Sequence, residues 1–182
     1  MTHVSTDPLF AAVLISDGPH PDIPPQHRLF APLIGSWDLL ITWLDSGGET
    51  VRQERGEWHF SWVLEGRAIQ DVWLWPPRSD RVTRPGEGEY GTSLRYFDAA
   101  LGVWHSLWVG PMHNYVRRFT ARRVGDTVVL ETLAGDQPAM RWTFDAIERD
   151  AFTWRNEVLD DAGWRIQQHF AARRTATHDD PA

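Results

Sequence analysis

From Ser36 to Arg173 the chain repeats one pattern, in which large apolar residues occupy every second position of short runs separated by turn residues. "SWDLLITWL" puts Trp37, Leu39, Ile41 and Trp43 on one face, and "WHFSWVL" does the same with Trp58, Phe60, Trp62 and Leu64. Successive side chains of a strand point to opposite faces, so a period of two specifies a sheet with one apolar face. "AIQDVW", "LRYF", "VWHSLWV", "YVRRFTARR", "TVVLETL", "MRWTF", "FTWRNEV" and "WRIQQHFAAR" follow at roughly ten-residue spacing. Gly or Asp marks the breaks at "LEGR", "DAALG", "VGDT", "IERDA" and "LDDAG". About ten short strands with no long helical pattern between them indicate an all-β antiparallel barrel or sandwich. Tight hairpins favour an up-and-down barrel, because closure leaves no exposed edge.

The flanks read differently. Residues 1–28 form a partly irregular extension whose "DGPHPDIPPQ" cannot hold a regular element for long. Within it "DPLFAAVLI" suits a short helix, with Asp7 as cap and Pro8 in the first turn. "PQHRLFAPLIG" suits one or two helical turns leading into the first strand. Residues 29–174 are then the barrel, and residues 175–182 a tail.

Composition removes several chemistries. With no cysteine there are no disulfides, thiolate nucleophiles or cysteine-ligated metals. All 18 basic residues are arginine, which excludes Schiff-base lysines and a phosphate-loop lysine. A net charge of −7 argues against nucleic-acid partners, "RRFTARR" reading as an alternating strand rather than a basic patch. No stretch approaches the ~20 apolar residues of a membrane span, and no secretory signal is recognisable. A cytoplasmic protein is the expectation. Nothing in the spacing sets oligomeric state, and a homodimer is compatible with it.

"LIGSWDLLITW" resembles the opening strand of calycins, in which a helical turn leads into Gly-x-Trp and the Trp plugs the closed end. "VLEGRAIQDVW", "YGTSLRYFDAALGVWHSLWV" and "RWTFDAIERDAFTWRNEVLDDAGWRIQQHFAARR" resemble bacterial calycin-like domains of unknown function, so the likeness covers residues 29–174. It implies a ligand-holding barrel and is nearly silent on the ligand. Nitrobindins, also ten-stranded calycins, hold haem through a histidine on a late strand, and His169 stands near that place. Their glycine-rich repeat after Gly-x-Trp is absent, "DLLITW" standing there instead. Lipocalins proper are often disulfide-bonded, which this chain cannot be.

Hairpin register assigns the faces. A turn at Glu65-Gly66 pairs Leu64 with Arg67, Trp62 with Ile69, Phe60 with Asp71 and Trp58 with Trp73. Aromatic content makes that face internal, leaving Glu57, His59, Ser61 and Gln70 outside. Asp71 is therefore expected inside, where a carboxylate needs a partner, bound water or a proton. Pairing Val124 with Thr127 sets Arg123, Ala121, Phe119, Arg117, Tyr115 and His113 on the inward face, with Arg117 the expected counter-charge of Asp71. Arg118, Thr120, Arg122 and Glu131 fall outside. Pairing Phe144 with Trp154 and Phe152 with Phe170 turns Asn156 and Gln168 inward and His169 outward, against a haem ligand. For "LRYFDAALGVWH" two faces remain open: either Tyr96 and Trp104, or Arg95 and His105, point inward.

Ten strands enclose more space than their own side chains fill, so a ligand cavity follows. The expected occupant is a small, largely apolar or aromatic molecule. Its expected contacts are Trp58, Phe60, Trp62, Asp71, Trp73, His113, Tyr115, Arg117, Asn156 and Gln168. The same cavity could serve an enzyme, with Asp71, Tyr115 and His113 moving a proton on a cyclising or isomerising substrate. A nitrobindin-like haem protein is the third reading. His113 and His105 form no metal motif, and no metal site is expected. The bland reading of Asp71 is a buried ion pair that only fixes strands.

Overall fold

A computed structural model describes residues 8–176 of the chain. The helix expected near the start is α1 (Pro8–Leu14), while Asp7, its expected cap, lies outside the described residues, as do residues 177–182 of the tail. A two-residue strand β1 (Ile15–Ser16) and two short 3-10 turns, Pro25–His27 and Ala31–Leu33, lead into the sheet.

Ten antiparallel strands then run in sequence order: β2 (Gly35–Leu44), β3 (Thr50–Val63), β4 (Ala68–Trp75), β5 (Glu89–Asp98), β6 (Val103–Gly110), β7 (Tyr115–Val124), β8 (Thr127–Thr132), β9 (Met140–Asp145), β10 (Ala151–Asp160) and β11 (Gly163–Arg174). Each pairs with the next, and β11 returns to pair with β2, which closes the barrel. At the end where β2 has not yet begun, β1 takes its place beside β3, pairing Ile15 with Val63.

One end is closed by the N-terminal segment. Phe30 inserts into the barrel against Trp104 and Phe144, and Leu33 joins the same core cluster, all fully buried. The Trp104 indole N–H donates to His27 O at 2.6 Å and that of Trp37 to Leu33 O at 2.7 Å, so the plug is tied down by side chains of the sheet. Gly35 takes φ +121°, and a Cβ there would meet Arg174 Nη1 at 2.6 Å. Glycine thus lets the last strand's arginine lie over the opening strand. The Arg174 guanidinium stacks 4.1 Å from the Trp37 ring and donates to Ile34 O at 2.9 Å. The connection between β3 and β4 is the four residues 64–67, with Leu64, Glu65 and Gly66 at φ +55°, +59° and +75°, one pair longer than the expected two-residue turn and of the same parity. Trp58, Phe60 and Trp62 accordingly face Trp73, Asp71 and Ile69.

Outward residues form charged ladders. Glu131 binds Arg122 at 2.8 Å and Arg141 at 3.2 Å, while Arg118 binds Asp136 at 3.0 Å. Leu64 and Arg67, expected on the inner face, are exposed because they flank the turn beyond the last pair, Val63 with Ala68. Arg123, paired with Val128 beside the closing pair Val124 with Thr127, is exposed at the end of β7. No helix among the described residues is long and apolar enough to cross a membrane.

Candidate functional site

The half of the barrel away from the plug holds a cavity of about 240 Å³. Its wall is a collar of tryptophans from five strands: Trp58 on β3, Trp73 on β4, Trp108 on β6, Trp142 on β9 and Trp154 on β10. They touch in series, with ring centroids 5.7 Å apart for Trp73–Trp108, 6.1 Å for Trp108–Trp142, 5.6 Å for Trp142–Trp154 and 5.8 Å for Trp154–Trp58. Phe170 is stacked between Trp73 and Trp154 at 5.5 and 4.3 Å. Trp73, Tyr115, Gln167 and Gln168 are the lining residues that keep solvent exposure, and they mark the mouth.

The indole N–H groups of Trp58, Trp73, Trp142 and Trp154 are buried without a hydrogen-bond partner, and so is Asn156 Oδ1. Native structures leave few buried polar atoms unpaired. Here five of them belong to residues that line one cavity.

One strand departs from the aromatic lining. Along the inner face of β5 stand Glu89, Gly91, Ser93 and Arg95, all buried. The glycine makes room for the collar, since a Cβ at Gly91 would come within 2.4 Å of Trp108 Cη2. Arg95 is fully buried and forms an ion pair with Asp71, itself fully buried. Ser93 joins this pair to the cavity, its N–H donating to Asp71 Oδ1 at 3.2 Å and its Oγ accepting from Arg95 Nη2 at 3.2 Å. The guanidinium lies 5.0 Å from the Phe30 ring and 5.8 Å from that of Phe60, with Nε unpartnered. Asp71 thus sits inside opposite Phe60, but its counter-charge is Arg95 rather than Arg117. Asp71 pairs with Ser93, and Arg95 is its diagonal neighbour on the adjacent strand, within reach of a long side chain. Arg117 lies beyond both Ser93 and Trp108 in the same cross-strand row.

The expected contacts separate into groups. Trp58, Trp73, Tyr115, Asn156 and Gln168 line the cavity. Phe60, Trp62 and Asp71 are buried nearer the plug and do not. Arg117 is half-buried, its guanidinium 4.2 Å over the Tyr115 ring and donating to Val116 O at 3.1 Å. His113 is exposed, on a 3-10 turn (Pro111–His113), and its Nε2 meets Gly88 O at 2.9 Å. Alternation cannot be extended across that turn, because Pro111 begins it and Asn114 follows in the left-handed region at φ +51°. Asp71, Tyr115 and His113 are therefore not brought together. The Tyr115 hydroxyl instead donates to Met140 Sδ at 3.2 Å, and burial pushes its phenol up while Arg117 partly opposes the shift.

Neither proposed face of the β5–β6 hairpin is present. Arg95 pairs with Ser106, and Phe97 with Trp104, so Arg95 and Trp104 both point inward while Tyr96 and His105 pair outside. The four-residue loop Ala99–Gly102 shifts the register by one from that assumed. In β10–β11, Phe152 faces Ala172 rather than Phe170, a two-residue shift that leaves every face unchanged. A bulge between Asn156 and Glu157 then skips Gln167, which turns Gln167 and Gln168 both to the mouth. His169 is exposed, between Arg155 and Thr42. Among the described residues no group of three His, Asp or Glu side chains could hold a metal ion. Sequence reasoning missed Glu89, Ser93, Trp108, Met140, Trp142, Trp154, Gln167 and Phe170 as lining residues. Trp142, Trp154 and Phe170 shared a face with Asn156 and Gln168, and that parity was a usable signal.

No protein-family model matches the chain, and no curated protein matches it. Among solved structures it is similar to an S-type phycobiliprotein lyase, CPES, from Guillardia theta, with a TM-score of 0.53 and 13% identity over 84% of this chain and 96% of that one. At that identity the likeness is one of fold, and the fold is a calycin-like barrel.

Proposed function

We propose that the protein binds a small planar aromatic molecule inside the barrel. The observation that carries this reading is the collar of Trp58, Trp73, Trp108, Trp142 and Trp154, with Phe170, around one cavity. Flat rings match the collar's faces, since aromatic pairs prefer offset or edge contacts at the spacings found here. The cavity's ~240 Å³ exceeds the ~150 Å³ that accepts benzene and falls short of the ~300–1,000 Å³ of drug-sized sites. One or two fused rings fit within that volume, and a tetrapyrrole would extend out of the mouth. With His169 facing outward as well, the residues present do not fit haem. A phycobiliprotein lyase shares the fold, which is consistent with ligand handling on this scaffold but names no ligand for this chain.

The test is calorimetric titration with 2-naphthol, with cyclohexanol as the non-aromatic control. One-to-one binding of 2-naphthol alone is expected, abolished in Asn156→Trp, which fills the cavity. Absence of binding by planar aromatics, or binding undiminished in Asn156→Trp, refutes the reading.

A further inference from the structure

Glu89 opens the polar strip of β5 and lines the cavity, 5% exposed. Its Oε1 accepts the Tyr90 N–H at 2.9 Å, and its Oε2 lies against Gly110, where a Cβ would come within 2.7 Å of it. Among the described residues no arginine or histidine lies within ion-pair distance of this carboxylate. The cations nearby in the fold are engaged elsewhere. Arg81 donates to Trp75 O and Glu89 O at 3.3 Å each and to Met112 Sδ at 3.4 Å, with its guanidinium over Tyr90. Arg117 stacks on Tyr115 and donates to Val116 O. An ionised carboxylate taken out of water without a counter-charge is strongly disfavoured.

The walls complement the same charge. Tryptophan faces attract cations through the ring quadrupole, most strongly where water is excluded.

Resting on the cavity reading above, we infer that the ligand is an aromatic organic cation of one or two rings, such as an N-heteroaromatic cation, its charge set against Glu89 and its body held by the tryptophan collar.

Three probes of matched size decide it by isothermal titration calorimetry at neutral pH: N-methylquinolinium (cation), quinoline (neutral) and 1-naphthoate (anion). N-methylquinolinium is expected to bind about tenfold or more tightly than quinoline. Glu89→Gln is expected to bring the ratio of the two affinities to within about threefold. Quinoline or naphthoate binding as well as the cation overturns the inference, and so does an advantage that survives Glu89→Gln. Should Glu89→Gln fail to fold, the wild-type ranking decides alone. If quinoline or naphthoate binds and the cation has no advantage, this inference falls and the cavity reading stands. If none of the three binds, both fall.

Discussion

Neutralising Asp71 should be far more damaging than removing its whole ion pair. In Asp71→Asn the amide keeps an oxygen near the Ser93 N–H, but Arg95 loses the only carboxylate it pairs with among the described residues. Both side chains are fully buried, so no water can take over the charge. Breaking such a pair costs about 3–5 kcal/mol. For a chain of this size each kcal/mol lowers Tm by ~2–4 °C, which puts the expected drop at about 6–20 °C. The aromatic contacts to Phe30 and Phe60, at 5.0 and 5.8 Å, return part of this and place the expectation toward the lower half. Replacing both residues, Asp71→Leu with Arg95→Met, removes the charges and fills similar volume. That double variant should melt above Asp71→Asn and close to wild type. Thermal melts and urea midpoints on the wild type, Asp71→Asn, Asp71→Leu, Arg95→Met and Asp71→Leu/Arg95→Met measure the coupling directly. An Asp71→Asn variant melting within about 2 °C of wild type would mean that Arg95 is solvated, and the reasoning would fail. Losses that simply add in the double variant would refute it equally.

Two further outcomes follow from local geometry. Hydrogen bonding to Arg84, then to Arg52, outweighs burial and lowers the Glu54 carboxyl from 4.5 to about 2, so its contribution is fully present above pH 4.5 and is lost as pH falls toward 2; Glu54→Gln should flatten the urea midpoint across that window and leave the neutral-pH slope alone. Gly91→Ala should destabilise by about 1–3 kcal/mol, because its Cβ meets Trp108 at 2.4 Å and Val109 O at 2.7 Å, and near-ultraviolet circular dichroism should report a displaced Trp108.

The β3–β4 hairpin was readable because two signals agreed there. Alternation put Trp58, Phe60 and Trp62 on one face, and Glu65-Gly66 could adopt the turn that pairs them with Trp73, Asp71 and Ile69. On β5 the same reasoning had nothing to hold. Tyr90 and Tyr96 point outward at 43% and 51% exposure, while Glu89, Ser93 and Arg95 are buried, so the hydrophobic rule is inverted. Residues that would identify the inner face of an ordinary strand identify its outer face here, and the polar residues nearest the cavity were the ones hidden. His113 was lost because parity was counted through a proline turn. Gln167 was lost because a bulge leaves no mark in the residue pattern. Arg117 kept the right parity, yet a long side chain chooses its partner by reach, and Tyr115 was closer than Asp71.

The tryptophan collar also sets how this protein will look in a spectrometer. Five indoles in series, 5.6–6.1 Å between neighbouring centroids, lie close enough for their transition dipoles to mix and for excitation to pass among them before emission. The near-ultraviolet circular dichroism should then carry coupled bands of opposite sign rather than a sum of isolated side chains. A single quencher in the cavity should darken the whole collar, and removing one member by Trp→Phe should change the emission by much more or much less than that residue's share of the chromophores.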